Sequence, residues 1–346
     1  MLAVVVAALA IMAFVAIGGN SDDADDGAHA SAKKAAPTVT TTTAPTTTLA
    51  GIPAGFPTPN STGVPKGTQL KEWTGSDSVN ESDLPQEVRN GTSYTVMDGY
   101  HFDSGPSGRY LAVDVAHMII RNSRFSAQTG VSNTGAIVQV GADNDDLIVE
   151  HSEFDGGPAY NRGVQSDVAD LTITASQFHN TGEAGVEKNN PDGATSLTVR
   201  DSYFTNSPGW PADDHVDGIQ VGGGKDVTIE HNTVLNPVYG GKQGDDDYVS
   251  NSALGLWAEI GNVTGDVVIK DNLLGGGGYT VYLQAKPPYS WRGTATVTGN
   301  VFDTRWSPVS GRWGPLFTSG LPSKLTWSNN SYSTGAPLTL AEARAH

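Results

Sequence analysis

The sequence predicts an all-β chain wound as a β-solenoid of about nine coils. Three observations carry this. One phrase recurs eight times: apolar, any, apolar, two polar, Ser or Asn, any, then an aromatic or aliphatic residue. The apolar residues inside each copy alternate, which is the period of a strand and not of a helix. The closing aromatic or aliphatic residues are separated by 23, 29, 24, 26, 30, 40, 28 and 30 residues. A constant minimum coil with variable excess fits a solenoid of strands whose loops grow at one corner.

The copies are Met118-Ile120-Ser123-Phe125, Leu147-Val149-Ser152-Phe154, Leu171-Ile173-Ser176-Phe178 and Leu197-Val199-Ser202-Phe204. They continue as Val227-Ile229-Asn232-Val234, Val267-Ile269-Asn272-Leu274, Ala295-Val297-Asn300-Phe302 and Leu325-Trp327-Asn330-Tyr332, with Met97 and Phe102 as a degenerate ninth. The second apolar position and the Phe column form the expected core. The Ser/Asn column reads as a hydrogen-bonded ladder at a corner. A second strand follows in most coils, at Ala136–Gln139, Gly163–Gln165, Gly185–Glu187, Gly218–Gln220, Gly255–Trp257 and Thr280–Tyr282. Stacking these strands puts Gln139, Gln165, Glu187 and Gln220 in one outward column.

Composition agrees with this fold and excludes several functions. Gly numbers 42 and Cys is absent. Corners need Gly and Asn, which tolerate positive φ. Without Cys there is no disulfide, thiol nucleophile or thiolate metal site. The net charge of −17 speaks against nucleic acid, which requires clustered Lys and Arg. No Gly-rich phosphate loop with Lys is found, and Gly275–Gly278 reads as a corner.

The N-terminal stretch is read separately. Residues 1–19 hold an apolar run, expected to be a signal or membrane-anchor segment that exports the chain. The acidic flank Ser21–Asp26 suits the outer side of a membrane. Residues 20–68 are an expected linker, marked by the Thr/Pro-rich run from Ala35 to Thr48, which cannot bury a core. Residues 69–346 are the expected β-helix domain.

The densest chemistry lies in Trp210-Pro-Ala-Asp213-Asp214-His215-Val-Asp217-Gly218-Ile-Gln220 and in the longest insertion, with Lys242 and Asp245-Asp246-Asp247. From residue 201 to 260 there are ten acidic residues against Lys225 and Lys242. Paired carboxylates suit glycoside hydrolysis, one as acid and one as base or nucleophile. A carboxylate cluster beside a Lys suits a Ca²⁺-assisted β-elimination, the cation acidifying the α-proton that the amine removes. The candidate catalytic set is therefore Asp213, Asp214, His215, Asp217 and Lys242. The candidate Ca²⁺ set is Asp214, Asp217, Asp245, Asp246 and Asp247. The bland alternative is that these Asp and His side chains cap turns. By parity with inward Ile219, Asp217 points inward unless the chain bends at Pro211 or Gly218. Gln165, Glu187 and Gln220 form a polar strip able to bond sugar hydroxyls. Trp210, Tyr239, Trp257 and Tyr282 are candidate stacking faces for sugar rings. Asp201, His231 and Asp271 share one repeat position, where the His should hold its proton more tightly.

The pattern from Tyr94–Phe102 and Leu111–Phe125 onward, through the terminal Pro337–Ala345, resembles the right-handed parallel β-helix superfamily, the pectin-lyase-like group in its secreted bacterial form. The resemblance covers roughly residues 70–346. It implies the fold and a leaning to polysaccharide chemistry, with an extracellular polysaccharide as partner. The Arg-base and Ca²⁺ strings of the pectate lyases, and the Gly-His-Gly and Arg-Ile-Lys strings of the polygalacturonases, have no counterpart here. The expected function is thus polysaccharide lyase-like action on, or binding to, an extracellular glycan. Paired-Asp glycoside hydrolysis and a non-catalytic surface display module are the alternatives.

Overall fold

The computed structural model describes residues 51–127, 135–157, 162–205, 216–237, 250–321 and 324–345. Among them the strands form three sheets, of ten, eight and ten strands. The coil around Phe178 shows the order. Asp170–Thr174 lies in what we call the entry sheet, Gln177–His179 in the aromatic sheet and Ala184–Asn189 in the groove sheet. Each strand pairs in parallel with its copy one coil away, as in Phe154↔Phe178↔Phe204. The architecture is a parallel β-helix. One antiparallel hairpin, Gln86–Arg89 against Thr92–Asp98, closes the N-terminal edge of the entry sheet.

The repeats occupy the places their spacing predicts. Ile120, Val149, Ile173, Val199, Ile229, Ile269 and Val297 are fully buried, and Trp327 is partly buried against them. Phe125, Phe154, Phe178 and Phe204 form a continuous stack, with ring centroids 4.8, 4.6 and 4.8 Å apart. Met97 and Phe102 do belong to a further coil, in register with Ile120 and Phe125.

The corner between the entry and aromatic sheets is held by the Ser/Asn ladder. The Ser123 amide donates to Ser152 Oγ, Ser152 to Ser176 and Ser176 to Ser202. The Ser202 amide then donates to Asn232 Oδ1, and the series continues through Asn272 and Asn300 to Asn330. A turn this tight needs left-handed backbone one residue earlier. Asn122, His151, Ala175, Asp201, His231, Asp271 and Asn329 all have φ between 46 and 55° there, and Gly299 takes the same position. Asn and Asp bear αL backbone more easily than other side-chain-bearing residues, which explains that column. Asp201, His231 and Asp271 thus serve the corner, with His231 Nδ1 bonded to Asp201 at 2.6 Å.

Residues 51–68, assigned by composition to the end of the linker, make definite contacts with the solenoid. Arg305 donates to the Gly51 carbonyl, His231 Nε2 bonds the Gly55 carbonyl at 2.6 Å, and the Gly63 amide donates to Ala175 O. Lys71 and Glu72 then pair with Tyr100 and His101 of the first coil. The segment therefore runs back along the corner, from late coils to the first. The hydrogen bond to Asp201, supported by the Gly55 carbonyl, holds the His231 ring above the usual imidazole pKa.

Candidate active site

The groove sheet positions the site. Its core-facing positions are filled by consecutive pairs of residues. Ile137 and Val138, and Ala253 and Leu254, all belong to the hydrophobic core. A Cβ on Gly163, Gly185 or Gly218 would strike Phe178, Phe204 or Val234, so these glycines face the same interior as Val164, Val186 and Ile219 beside them. Two successive inward residues mean that the strand bends. Gly supplies the bend because a side chain there would collide with the Phe column.

The bend separates two outward columns. One runs Ala136, Arg162, Ala184, Asp217, Ser252, Tyr279 and Gly314. The other runs Gln139, Gln165, Glu187, Gln220, Gly255, Tyr282 and Phe317. The polar strip expected of Gln165, Glu187 and Gln220 is thus in register. The bend allowed for at Gly218 is present, and it turns Asp217 away from the core.

Arg162 links the two columns. Its guanidinium contacts Glu183 through Nη2 and Glu187 through Nε. Asn189 donates its amide to Glu187 Oε1. Glu187 is only 3 % exposed although it lies on the outer side of the sheet. Burial pushes its carboxyl up to about 7; Arg162 opposes the shift and the charge of Glu183 adds to it. Asp217 is fully buried, with Asn251 Nδ2 at 3.2 Å from each carboxyl oxygen and Ser252 Oγ donating to Oδ1. Burial raises its pKa well above the carboxylate range, against those hydrogen bonds and with help from the charge of Glu183. Asp167, raised by burial, adds a further carboxyl whose charge acts on Glu187.

The aromatic end of the groove follows in the next coils. A Cβ on Gly255 would collide with the Trp257 ring, so the missing side chain is what lets the indole lie there. Trp257 and Tyr282 are 5.6 Å apart, Tyr282 and Tyr279 are 5.4 Å apart in edge contact, and both tyrosines pack on Phe317. Trp313, over Gly278, lies 5.8 Å from Tyr279 and stays 39 % exposed. The charge of Asp217 acts on the Tyr282 hydroxyl, so the carboxyl and aromatic sets adjoin. Trp291, by contrast, is a core residue, and Tyr289 packs against that core.

Of the residues singled out in the sequence, Gln165, Glu187, Asp217, Gln220, Trp257 and Tyr282 come together on this face. Trp210, Asp213, Asp214, His215, Tyr239, Lys242, Asp245, Asp246 and Asp247 lie outside the described residues. Among the described residues no three His, Cys, Asp or Glu side chains are placed to hold a metal ion. Asp217, the described member of the candidate Ca²⁺ set, has both oxygens engaged by Asn251 and Ser252. Sequence reading missed Arg162, Glu183, Asn251 and Ser252. A signal existed for one of them: Arg162-Gly163 repeats the charged residue before a bend glycine seen at Asp217-Gly218.

Two other polar clusters lie away from the groove. Tyr94 donates to Asp146 at 2.6 Å, and the same carboxylate holds His117 Nδ1. Lys188, fully buried, donates to Ala169 O, Ser166 Oγ and Thr195 Oγ1, and burial lowers its pKa to about 8. No helix among the described residues is long and apolar enough to cross a membrane. No family model, curated protein or solved structure matches the chain. Fold and site together define a parallel β-helix protein whose eight-stranded sheet carries a carboxyl set and an aromatic set side by side on its outer face.

Proposed function

We propose that this is an exported carbohydrate-active β-helix protein that binds an extracellular glycan along the bent outer face of the groove sheet and cleaves it there. The single observation that carries the reading is the continuity of Glu187, Asp217 and Gln220 with Trp257, Tyr279 and Tyr282 on one outward face. Sugar rings stack on aromatic faces while their hydroxyls bond amides and carboxyls. Glycosidic cleavage requires a carboxyl that keeps its proton near neutrality, beside a second carboxyl in a different environment. Glu187, raised to about 7, suits the first role: it donates its proton to the leaving glycosidic oxygen. The second carboxyl comes from Glu183, which shares the Arg162 guanidinium with Glu187. Arg162 fixes Glu187 in place and limits how far its pKa rises.

Elimination, the other chemistry open to a pectin-lyase-like fold, would draw its base from Lys242 or His215 and its Ca²⁺ from Asp214 and Asp245–Asp247. The described face offers a proton donor more readily than a base, which favours hydrolysis. Purified protein incubated with a broad polysaccharide panel tests the reading. New reducing ends without unsaturated sugar products are expected, with Glu187→Gln retaining binding and losing at least a hundredfold in rate, an effect of about 3 kcal/mol. Unsaturated products would establish elimination instead. Binding without any product, unchanged in Glu187→Gln, would establish a non-catalytic module.

A further inference from the structure

The geometry points to a substrate class for this groove: a glycan rich in hydrogen-bond donors and free of carboxylate or sulfate groups, its donor hydroxyl or amine meeting Gln220 Oε1. This inference rests on the groove being a glycan site.

Two observations carry it. Gln220 is 8 % exposed, lies in the outward column between Glu187 and Gly255, and its Oε1 has no hydrogen-bond partner among the described residues. A buried acceptor left unpaired loses its hydration without compensation, so the site is incomplete until a donor arrives. Gly255 offers no side chain to supply one. An acidic sugar would bring further acceptors to a place that already has an acceptor to spare.

The second observation is charge. Glu187 pairs with Gln220 in the sheet, the charges of Glu183 and Asp167 act on Glu187, and among the described residues Arg162 is in contact with Glu183 and Glu187. That cation is already shared by Glu183 and Glu187. Lys188, on the same strand as Glu187, points the other way, to Ala169 O, Ser166 and Thr195. A polyuronate entering here would bring negative charge into a partly dehydrated site where burial already holds the carboxyls of Glu187 and Asp217 against ionising, so each added carboxylate is opposed in the same way. Hydroxyl and amino donors meet no such penalty and satisfy Gln220 directly.

Matched polymer pairs that share a backbone and differ only in charge give the test. Affinity electrophoresis would compare hydroxyethylcellulose with carboxymethylcellulose, methyl-esterified with de-esterified polygalacturonate, and neutral xylan with glucuronoxylan. Among the pairs that retard the protein, the neutral member should bind at least roughly tenfold more tightly, and Gln220→Leu should remove most of that preference. Equal or tighter binding of the acidic members by wild type, lost in Trp257→Ala, would overturn the charge inference and keep the groove. Retardation that Trp257→Ala leaves unchanged, or none with any pair, would overturn the glycan reading itself. Gln220→Glu, which keeps the shape and adds a charge, guards against a folding artefact. It should preserve the melting temperature measured below pH 5 and reject the acidic members further.

Discussion

Arg162 of one coil closes on Glu187 of the next, and the same guanidinium holds Glu183. The arrangement places one fixed cation among several carboxyls on the outer face of a sheet. It is why Glu187, though almost completely buried, titrates near neutrality and no higher. Removing Arg162 would leave the burial penalty and the charge of Glu183 opposed by the Asn189 hydrogen bond alone.

The first prediction concerns pH. The Glu187 carboxyl is raised from 4.5 to about 7, so the folded state holds its proton more tightly than the unfolded chain does. The stability linked to this group is complete below the unfolded value and is lost as pH rises through about 7. By linkage, the loss is on the order of 3 kcal/mol. Glu187→Gln should therefore flatten the fall of melting temperature between pH 5 and pH 8. If cleavage uses this proton, kcat/KM of the wild type should also decline above about pH 7. An unchanged stability profile in the variant would show that Glu187 ionises freely.

The stacked ring column makes the second prediction. Phe178 lies fully buried between Phe154 and Phe204, parallel to both within 2°. Phe178→Ala should cost about 3–5 kcal/mol, because neighbouring coils are fixed by their own ladders and cannot collapse into the gap. Urea denaturation measures the loss. A cost under about 1 kcal/mol would mean that the coils close the cavity.

Ser and Asn rungs of the corner ladder should differ in weight. Asn272 Oδ1 accepts from both the backbone amide and the side chain of Asn232, while its own Nδ2 donates to Ile229 O and Asn300 Oδ1. Ser152 Oγ accepts from the Ser123 amide and donates to Glu150 O. Asn272→Ala should cost about 2–4 kcal/mol and Ser152→Ala about 1–2, since each leaves buried groups unpaired in proportion. Thermal denaturation of both variants checks the order, and a reversed order would deny the amide ladder its role.

Ala175 occupies the corner position with φ of 47°. Left-handed backbone costs a residue with a Cβ roughly 1–2 kcal/mol, more than the entropy that Gly loses on folding. Ala175→Gly should thus stabilise the protein by about 0.5 kcal/mol. A β-branched residue there should destabilise it. Chemical denaturation resolves the sign, and a loss of stability on Ala175→Gly would show that the methyl packs to advantage.

The solenoid was legible in the sequence because a stacked coil repeats its chemistry. Alternation of apolar residues, the Ser/Asn position and the closing Phe are each local, and stacking places each copy on the last. In-register parallel pairing then brought Gln165, Glu187 and Gln220 into one column without further information. The corner backbone was less legible. Asn122, Ala175, Asp201 and His231 share no chemistry, and only the φ that the turn imposes unites them.

The groove was decided by tertiary structure. Parity counted along the strand left Asp217 facing the core unless a bend intervened, and only the packing of Gly218 against Val234 shows that it does. The meeting of Arg162 with Glu183 and Glu187 spans separate coils, and the burial that raises the Glu187 carboxyl exists only once those coils are stacked. Composition and period determine which residues repeat, because they act between chain neighbours. Desolvation and charge pairing act through space, so the chemistry of this face could be assigned only after the chain had been wound.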